Sequence, residues 1–220
     1  MNTTRVDIAI GRDHRYSTHM ERKPLLLHCC CGPCSTSSIE RLQSMGFEPV
    51  LFFGNSNIFP ESEALNRYAA LQEVADHYAL KLIHHMYDHT SWLAQIRGHE
   101  GDPEQGERCR LCFDYNLREA AEEAHRQNIQ YFTTTLTVSP HKQSPVIFTL
   151  GQQWDEFVAV DFKKKDGYKR SIELSKKWDL YRQDYCGCEF SLRDRNQRRS
   201  AKQQQTPGHD RHPSDNSVDS

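Results

Sequence analysis

The chain of 220 residues has no long hydrophobic run. Nothing in it approaches the roughly 18 consecutive apolar residues of a membrane span. Residues 1–22 lack the apolar stretch of a secretory leader. These absences lead us to expect a soluble, cytoplasmic protein with no membrane partner. Hydrophobic residues make up only 36% of the sequence, and the polar ends account for part of that low figure. The middle keeps enough Leu, Ile, Val, Phe and Tyr to bury a core. A charge imbalance is also missing. The formal net charge is −2 with His neutral, so overall charge does not advertise a nucleic-acid partner. There is no internal repeat. The nucleotide loops Ser-Gly-Gly-x-Asp-Ser, G-x-x-x-x-G-K-[ST] and G-x-G-x-x-G are absent, which argues against activation of a substrate by ATP. The zinc-hydrolase motif H-E-x-x-H is absent too.

Cysteine, by contrast, is abundant and clustered. Four of the eight cysteines fall within Cys29-Cys30-Cys31-Gly32-Pro33-Cys34, and the others form Cys109-x-x-Cys112 and Cys186-x-Cys188. None stands alone. Disulfide frameworks belong mostly to secreted chains shorter than about 100 residues. In a reducing compartment, clustered cysteines bind metal or carry out redox chemistry. We expect the fold to gather these clusters around a redox metal centre.

The rest of the chain shows how it would do so. Residues 1–23 read as a flexible, mixed polar arm. Apolar runs at 24–31, 47–53, 80–86 and 131–138, and a shorter one at 157–162, read as strands. Helices are expected at 36–45, with Ser35 as N-cap and Gly46 as stop, and at 61–78, 90–96, 112–127, 144–154 and 168–178. The body ends with 181–192, so the domain spans 24–192. Residues 193–220 have almost no apolar side chains and read as a disordered polar tail. Strands alternating with helices predict an α/β fold, a three-layer domain with a mainly parallel sheet. In such sheets ligands sit beyond the carboxyl ends of the strands. That rule brings the cysteine-rich stretch, the Asn57 loop and Ser139-Pro140-His141 to one edge.

Thiolates bind zinc or iron–sulfur clusters. Zinc ribbons place two C-x-x-C pairs about 15–20 residues apart, whereas most of a domain separates Cys34 from Cys109. Adjacent cysteines share one tetrahedral metal only with strain, but they can serve different irons. Cys109 and Cys112 at a helix start gain from the dipole, which stabilises thiolates. Cys186-Gly187-Cys188 suits either a labile redox pair or two further ligands. Lys163, Lys164, Lys165, Lys169, Arg170, Lys176 and Lys177 fall within 15 residues, interleaved with Phe162, Tyr168 and Trp178. That is the form of a phosphate-backbone footprint, and also of a solvated helix face. A second basic run, from Arg193 to Lys202, could act as a loose tether. His141 follows Ser139-Pro140 at the expected functional edge.

Six ordered blocks carry a family resemblance. They are His28-x-Cys30-Cys31-x-Pro33-Cys34; Asn57-Ile58-x-Pro60 with Glu63 and Arg67; and Arg108-Cys109-x-x-Cys112-Phe113. The others are Thr133-Thr134-Thr135-Leu136-x-Val138-Ser139-Pro140-x-Lys142; Asp161-Phe162-Lys163 with Gly167-Tyr168; and Leu180-Tyr181-Arg182-Gln183-x-Tyr185-Cys186-Gly187-Cys188. Over about Pro24 to Leu192 the chain resembles the QueH family of epoxyqueuosine reductases, cobalamin-independent enzymes of the last step of queuosine formation in tRNA. The resemblance implies an oxidoreductase that removes the epoxide oxygen of epoxyqueuosine at the wobble position, with tRNA and an external electron donor as partners. It implies a 4Fe–4S cluster on Cys30, Cys31, Cys109 and Cys112, and a redox-active disulfide between Cys186 and Cys188. Cys34 becomes a candidate ligand of a second, mononuclear iron, and Cys29 has no role. Asn57, Arg67 and His141 would shape the substrate site, with Lys163, Lys164, Lys165, Lys169 and Arg170 on tRNA phosphates. The chain departs from the family pattern at His141 and Gln143. The implied fold is nucleotide-hydrolase-like, with the iron–sulfur site at the C-terminal strand edge. Two other readings compete: a zinc-stabilised RNA-binding protein and an iron–sulfur tRNA thiolase.

Overall fold

A computed structural model describes residues 22–204. Four parallel strands form one sheet: β1 (Lys23–His28), β2 (Phe47–Phe53), β3 (Leu82–His84) and β4 (Tyr131–Thr134), in the order β3-β2-β1-β4. β1 lies inside the sheet, paired with β2 on one side and β4 on the other. A strand covered on both faces has no polar side to alternate, which is why Leu25-Leu26-Leu27 reads as a continuous apolar run. Alternation reappears in what each side chain meets. Leu25, Leu27, Leu51 and Phe53 pack with Ile39, Leu42, Leu71 and Val74 of α1 (Gly32–Ser44) and α2 (Glu61–Tyr78). Leu26, Phe52 and Phe132 face the other way, onto Leu117 and Ala120 of α4 (Glu107–Arg126) and Ile147 of α5 (Ser144–Gly151). Helices therefore cover both faces. A short α3 (His89–Gln95) precedes α4, and α6 (Gly167–Lys177) packs along α1.

Close approach is decisive at Gly32. A Cβ there would stand 2.4 Å from the backbone oxygen of Ala70, so only glycine lets the start of α1 rest on α2.

The α/β class and the parallel sheet agree with the sequence reading; several details do not. The expectation of a metal site at the C-terminal strand edge is overturned. The cysteines that converge, Cys30, Cys31 and Cys34, lie near the N-terminus of the chain, in the first strand-to-helix turn, and the strand they follow is an inner one. The sulfurs bunch there because a short turn passes directly from β1 into the first turn of α1. β4 stops at Thr134 and tightens into a 3-10 turn over Thr135–Val138. The expected strand at 157–162 is reduced to one bridge, Phe132 to Phe157. α1 begins at Gly32 with Cys31 as its N-cap, not Ser35.

The polar tail is also corrected in part. Residues 193–204 are helical, within α7 (Glu189–Gln204). Phe190 of α7 packs in a cluster with Trp92, and Arg195 and Arg199 both meet Asp184. These anchors supply the tertiary contacts that composition alone does not reveal. The rest of the tail, and the N-terminal arm up to residue 21, lie outside the described residues.

Candidate metal centre

The sulfurs of Cys30, Cys31 and Cys34 all lie within 4.8 Å of one another. Cys31 is extended, with φ −173° and ψ 162°, and its sulfur caps α1 by accepting the Cys34 N–H at 3.4 Å. A second donor, Gln183 Nε2, reaches the same sulfur at 3.1 Å. The Cys30 and Cys31 sulfurs are 3.9 Å apart. Thr135 accepts the Cys30 N–H at 3.1 Å and turns its own hydroxyl toward the Cys30 sulfur at 3.4 Å. The 3-10 turn that replaces the end of the expected strand is what brings Thr135 there.

The three thiols are not alike. Hydrogen bonds from Cys31 and Cys34 hold the Cys30 thiol well below its usual range. Burial pushes Cys31 up to about 12, and the hydrogen bond to Cys30 raises Cys34 well above normal. Cys30 is thus the most readily ionised of the three, and binding of a metal by thiols displaces their protons. Cys29 is different. It is buried in the core, its thiol donates to Leu27 O at 3.2 Å, and burial raises its pKa. His28 bonds Thr134 Oγ1 at 2.9 Å, and burial lowers its pKa to about 4, so it stays neutral.

Cys109 and Cys112 lie in the first turns of α4, with the Gln105 N–H on the Cys109 sulfur at 3.3 Å and Asn116 Nδ2 on the Cys112 sulfur at 3.5 Å. Burial raises both thiols, and the nearby Cys186 and Cys188 raise them further. Cys188 is raised by burial and by Cys186. These two C-terminal cysteines therefore stand in the neighbourhood of the α4 pair. Cys186 also lines two adjoining cavities, one with Cys109 and one with Cys34. The latter measures 400 Å³, within the range of small-molecule sites. All eight cysteines are free thiols.

Lys142 lines both cavities. Burial works against its charge, but Cys186, Cys30 and Cys34 outweigh that and hold its ammonium above the usual range. It is a cation set among the cysteines of both cavities, and the sequence reading gave it no role. Gln183 and Thr135 were likewise unassigned. All three stand within the six blocks of the resemblance, and that was the available signal.

Two residues expected at the substrate also hold the loop of the last cysteine pair. Arg67 is 1% exposed; it pairs with Glu63 at 2.7 Å and donates to Cys186 O at 2.9 Å and Tyr185 O at 3.3 Å. Asn57 is buried beside Gly187, whose φ is +152°; a Cβ at Gly187 would meet Arg67 Nη1 and Asn57 Nδ2 at 3.3 Å. Arg67 and Asn57 therefore shape the loop that carries Cys186 and Cys188. His141 is exposed at the rim of both cavities. Lys163 turns inward, onto Lys142 O at 2.8 Å and Ser144 Oγ at 2.6 Å, and Arg170 is held by Glu40 at 2.9 Å. Lys164, Lys165 and Lys169 are exposed.

A protein-family model described as epoxyqueuosine reductase QueH matches residues 25–194. The chain belongs to the QueH family. Among its QueH relatives, the one from Haemophilus influenzae is 38% identical over 178 residues, covering 78% of this chain and 73% of that one. The QueH of Streptococcus pyogenes serotype M1 is 37% identical over 183 residues, 78% and 71% of the two chains. The Thermotoga maritima QueH is 33% identical over 182 residues, 79% and 93%. Among solved structures, a predicted subunit of tRNA methyltransferase from Methanocaldococcus jannaschii aligns with a TM-score of 0.51 at 16% identity, over 81% of this chain and 88% of that one. This last likeness is one of fold alone. The QueH match begins within β1 and ends in the first turns of α7, so it takes in every cysteine described above.

Proposed function

We propose that the chain is an epoxyqueuosine reductase, acting on the modified base at the wobble position of tRNA and releasing the epoxide oxygen as water. The observation that carries this reading is the membership in the QueH family together with a thiol-lined cavity at the sites of the family's cysteines. The reduction needs two electrons and two protons. Oxidation of the Cys186–Cys188 dithiol to a disulfide releases just that, and an external donor then restores the dithiol.

The donor set fits an iron–sulfur group. Sulfur is its ligand, three sulfurs converge, N–H and O–H groups point at them, and the Lys142 ammonium offsets their charge. We assign Cys30, Cys31, Cys109 and Cys112 to a 4Fe–4S cluster and Cys34 to a second, mononuclear iron. Such a group supplies the electron-transfer chemistry that side chains alone lack. The chain's own part is to hold the sulfurs, set the redox pair near Cys109 and Cys112, and give the base a cavity lined by Gln183, Tyr168 and Arg182. Exposed Lys164, Lys165 and Lys169 serve tRNA phosphates; Lys163 and Arg170, being engaged within the protein, do not. Among the described residues no helix is long and apolar enough to cross a membrane, and we place the enzyme in the cytoplasm, where its tRNA is.

The test is anaerobic purification with iron and zinc analysis, followed by nucleoside analysis of tRNA carrying epoxyqueuosine. Iron-bearing protein that converts epoxyqueuosine to queuosine is expected. Stoichiometric zinc without iron would point to the zinc-stabilised RNA-binding reading. Cys30→Ser and Cys188→Ser each abolish turnover, but only Cys30→Ser loses cluster iron; Cys29→Ser keeps its iron.

A further inference from the structure

Away from the thiols, a cavity lies between the second turn of α1 and the N-terminus of α6. Ser37, Arg41, Lys164, Lys165 and Arg170 line it, together with Glu40. α6 is 11 residues long and no side chain caps its start. The Gly167 N–H already bonds Lys164 O at 3.2 Å, and the dipole of the helix still favours an anion at its start. A second observation is independent of the helix. Ser37 is 7% exposed, and its Oγ has no hydrogen-bond partner. A buried hydroxyl left without a partner is a cost that an acceptor in the cavity removes.

The charges around the cavity sort themselves. Glu40 is neutralised by Arg170, which holds it through two nitrogens at 2.9 and 3.0 Å, so it does not repel an incoming anion. The side chains of Arg41, Lys164 and Lys165 make no ion pair or hydrogen bond among the described residues. Three cations are therefore uncommitted at one small cavity. The place also matters. Ser37 lies one turn beyond Cys34 on α1, and Tyr168, next to Gly167 at the start of α6, lines the thiol cavity with Cys34 and Cys186. The two cavities thus lie side by side, on either side of the start of α6.

We infer that this second cavity seats a backbone phosphodiester of the tRNA next to the modified nucleotide, held by Arg41, Lys164, Lys165, the Ser37 hydroxyl and the N-terminus of α6. The inference rests on the reading of the chain as an enzyme acting on tRNA, and it deepens that reading by naming where the strand is gripped. A phosphate here fixes register without reading sequence, as backbone contacts do.

The experiment measures binding of the full chain to tRNA carrying epoxyqueuosine across a range of salt concentrations. The variants are Arg41→Gln/Lys164→Gln/Lys165→Gln, Ser37→Ala, and Lys176→Gln/Lys177→Gln as a control at the far end of α6. Losing one phosphate contact lowers the salt slope by about 0.7–0.9, which is about a four- to fivefold loss of affinity near 0.15 M salt. The triple variant should show that loss, with KM raised by the same factor and kcat unchanged. Ser37→Ala should weaken binding without altering the salt slope, and the control should match wild type. Unfolding midpoints confirm that each variant is folded. Wild-type affinity and slope in the triple variant overturn the inference, as does an equal loss in the control. Inorganic phosphate that binds wild type but not the triple variant, with tRNA affinity unchanged, assigns the seat to a free anion and also overturns it. A wild-type protein that binds tRNA but reduces no epoxyqueuosine refutes the functional reading, while the affinities of the variants still decide the seat.

Discussion

Replacing Arg67 by methionine keeps most of the side-chain volume and removes a buried charge with its hydrogen bonds. Arg67 is 1% exposed and Glu63, its partner at 2.7 Å, is 8% exposed. The same guanidinium bonds the backbone oxygens of Cys186 and Tyr185. Breaking a buried pair from one side costs about 3–5 kcal/mol, because the remaining charge stays buried and unpaired. The Tyr181 hydroxyl, on Glu63 at 2.5 Å, relieves part of this, so the lower half of the range applies. At about 2–4 °C per kcal/mol for a domain of this size, the unfolding midpoint should fall by about 6–16 °C. The assay is anaerobic thermal unfolding of the full chain. Glu63→Gln/Arg67→Met removes both charges and should recover a large share of the loss, while Arg67→Lys, lacking the planar fork, should fall in between. Activity should drop in Arg67→Met even below its midpoint, since the loop bearing Cys186 and Cys188 loses its tether. A midpoint within 2 °C of wild type, or a double variant no better than Arg67→Met, would refute the argument that Arg67 is a structural clamp.

Three other outcomes follow from the same geometry. Burial pushes the Glu123 carboxyl up, but hydrogen bonds from Arg126, Gln127 and His85 outweigh it and bring its pKa below normal. Its stabilising contribution is therefore complete above the unfolded value of about 4.3 and is lost as pH falls through the lower folded value; denaturant unfolding should show a flatter acid limb in Glu123→Gln. Gly32→Ala drives a Cβ to 2.4 Å from Ala70 O and should cost about 1–3 kcal/mol, read from the denaturation midpoint. Lys142→Met removes the cation facing Cys30, Cys34 and Cys186, so the midpoint potential of the metal-loaded protein should fall, measured by anaerobic redox titration; an unchanged potential would dismiss an electrostatic role.

The sequence carried the local periods well. The apolar run before His28 and the helical spacing from Leu65 to Tyr78 each name an element that the structure contains, because burial on one or both faces imposes the period directly. The cysteine clustering was legible for a similar reason, since Cys30, Cys31 and Cys34 are near in sequence and so near in space. What could not be read was direction. Lys163 and Lys164 are neighbours, yet Lys163 turns onto Lys142 O and Lys164 faces solvent. Arg67 reads in its motif as shaping the substrate site, and nothing in that motif tells that its side chain also holds a loop more than 100 residues away. The helix beyond residue 192 was missed because its anchors, Trp92 and Asp184, belong to other elements.

The sulfur of Cys31 serves the backbone as well as the site. It accepts the Cys34 N–H and closes the first turn of α1. A substitution at Cys31 therefore changes two things at once. Serine keeps an oxygen acceptor at the helix start, whereas alanine leaves a backbone N–H there without its cap. A defect in Cys31→Ala alone would report on the helix as much as on the sulfur, and the serine variant is the one that separates them.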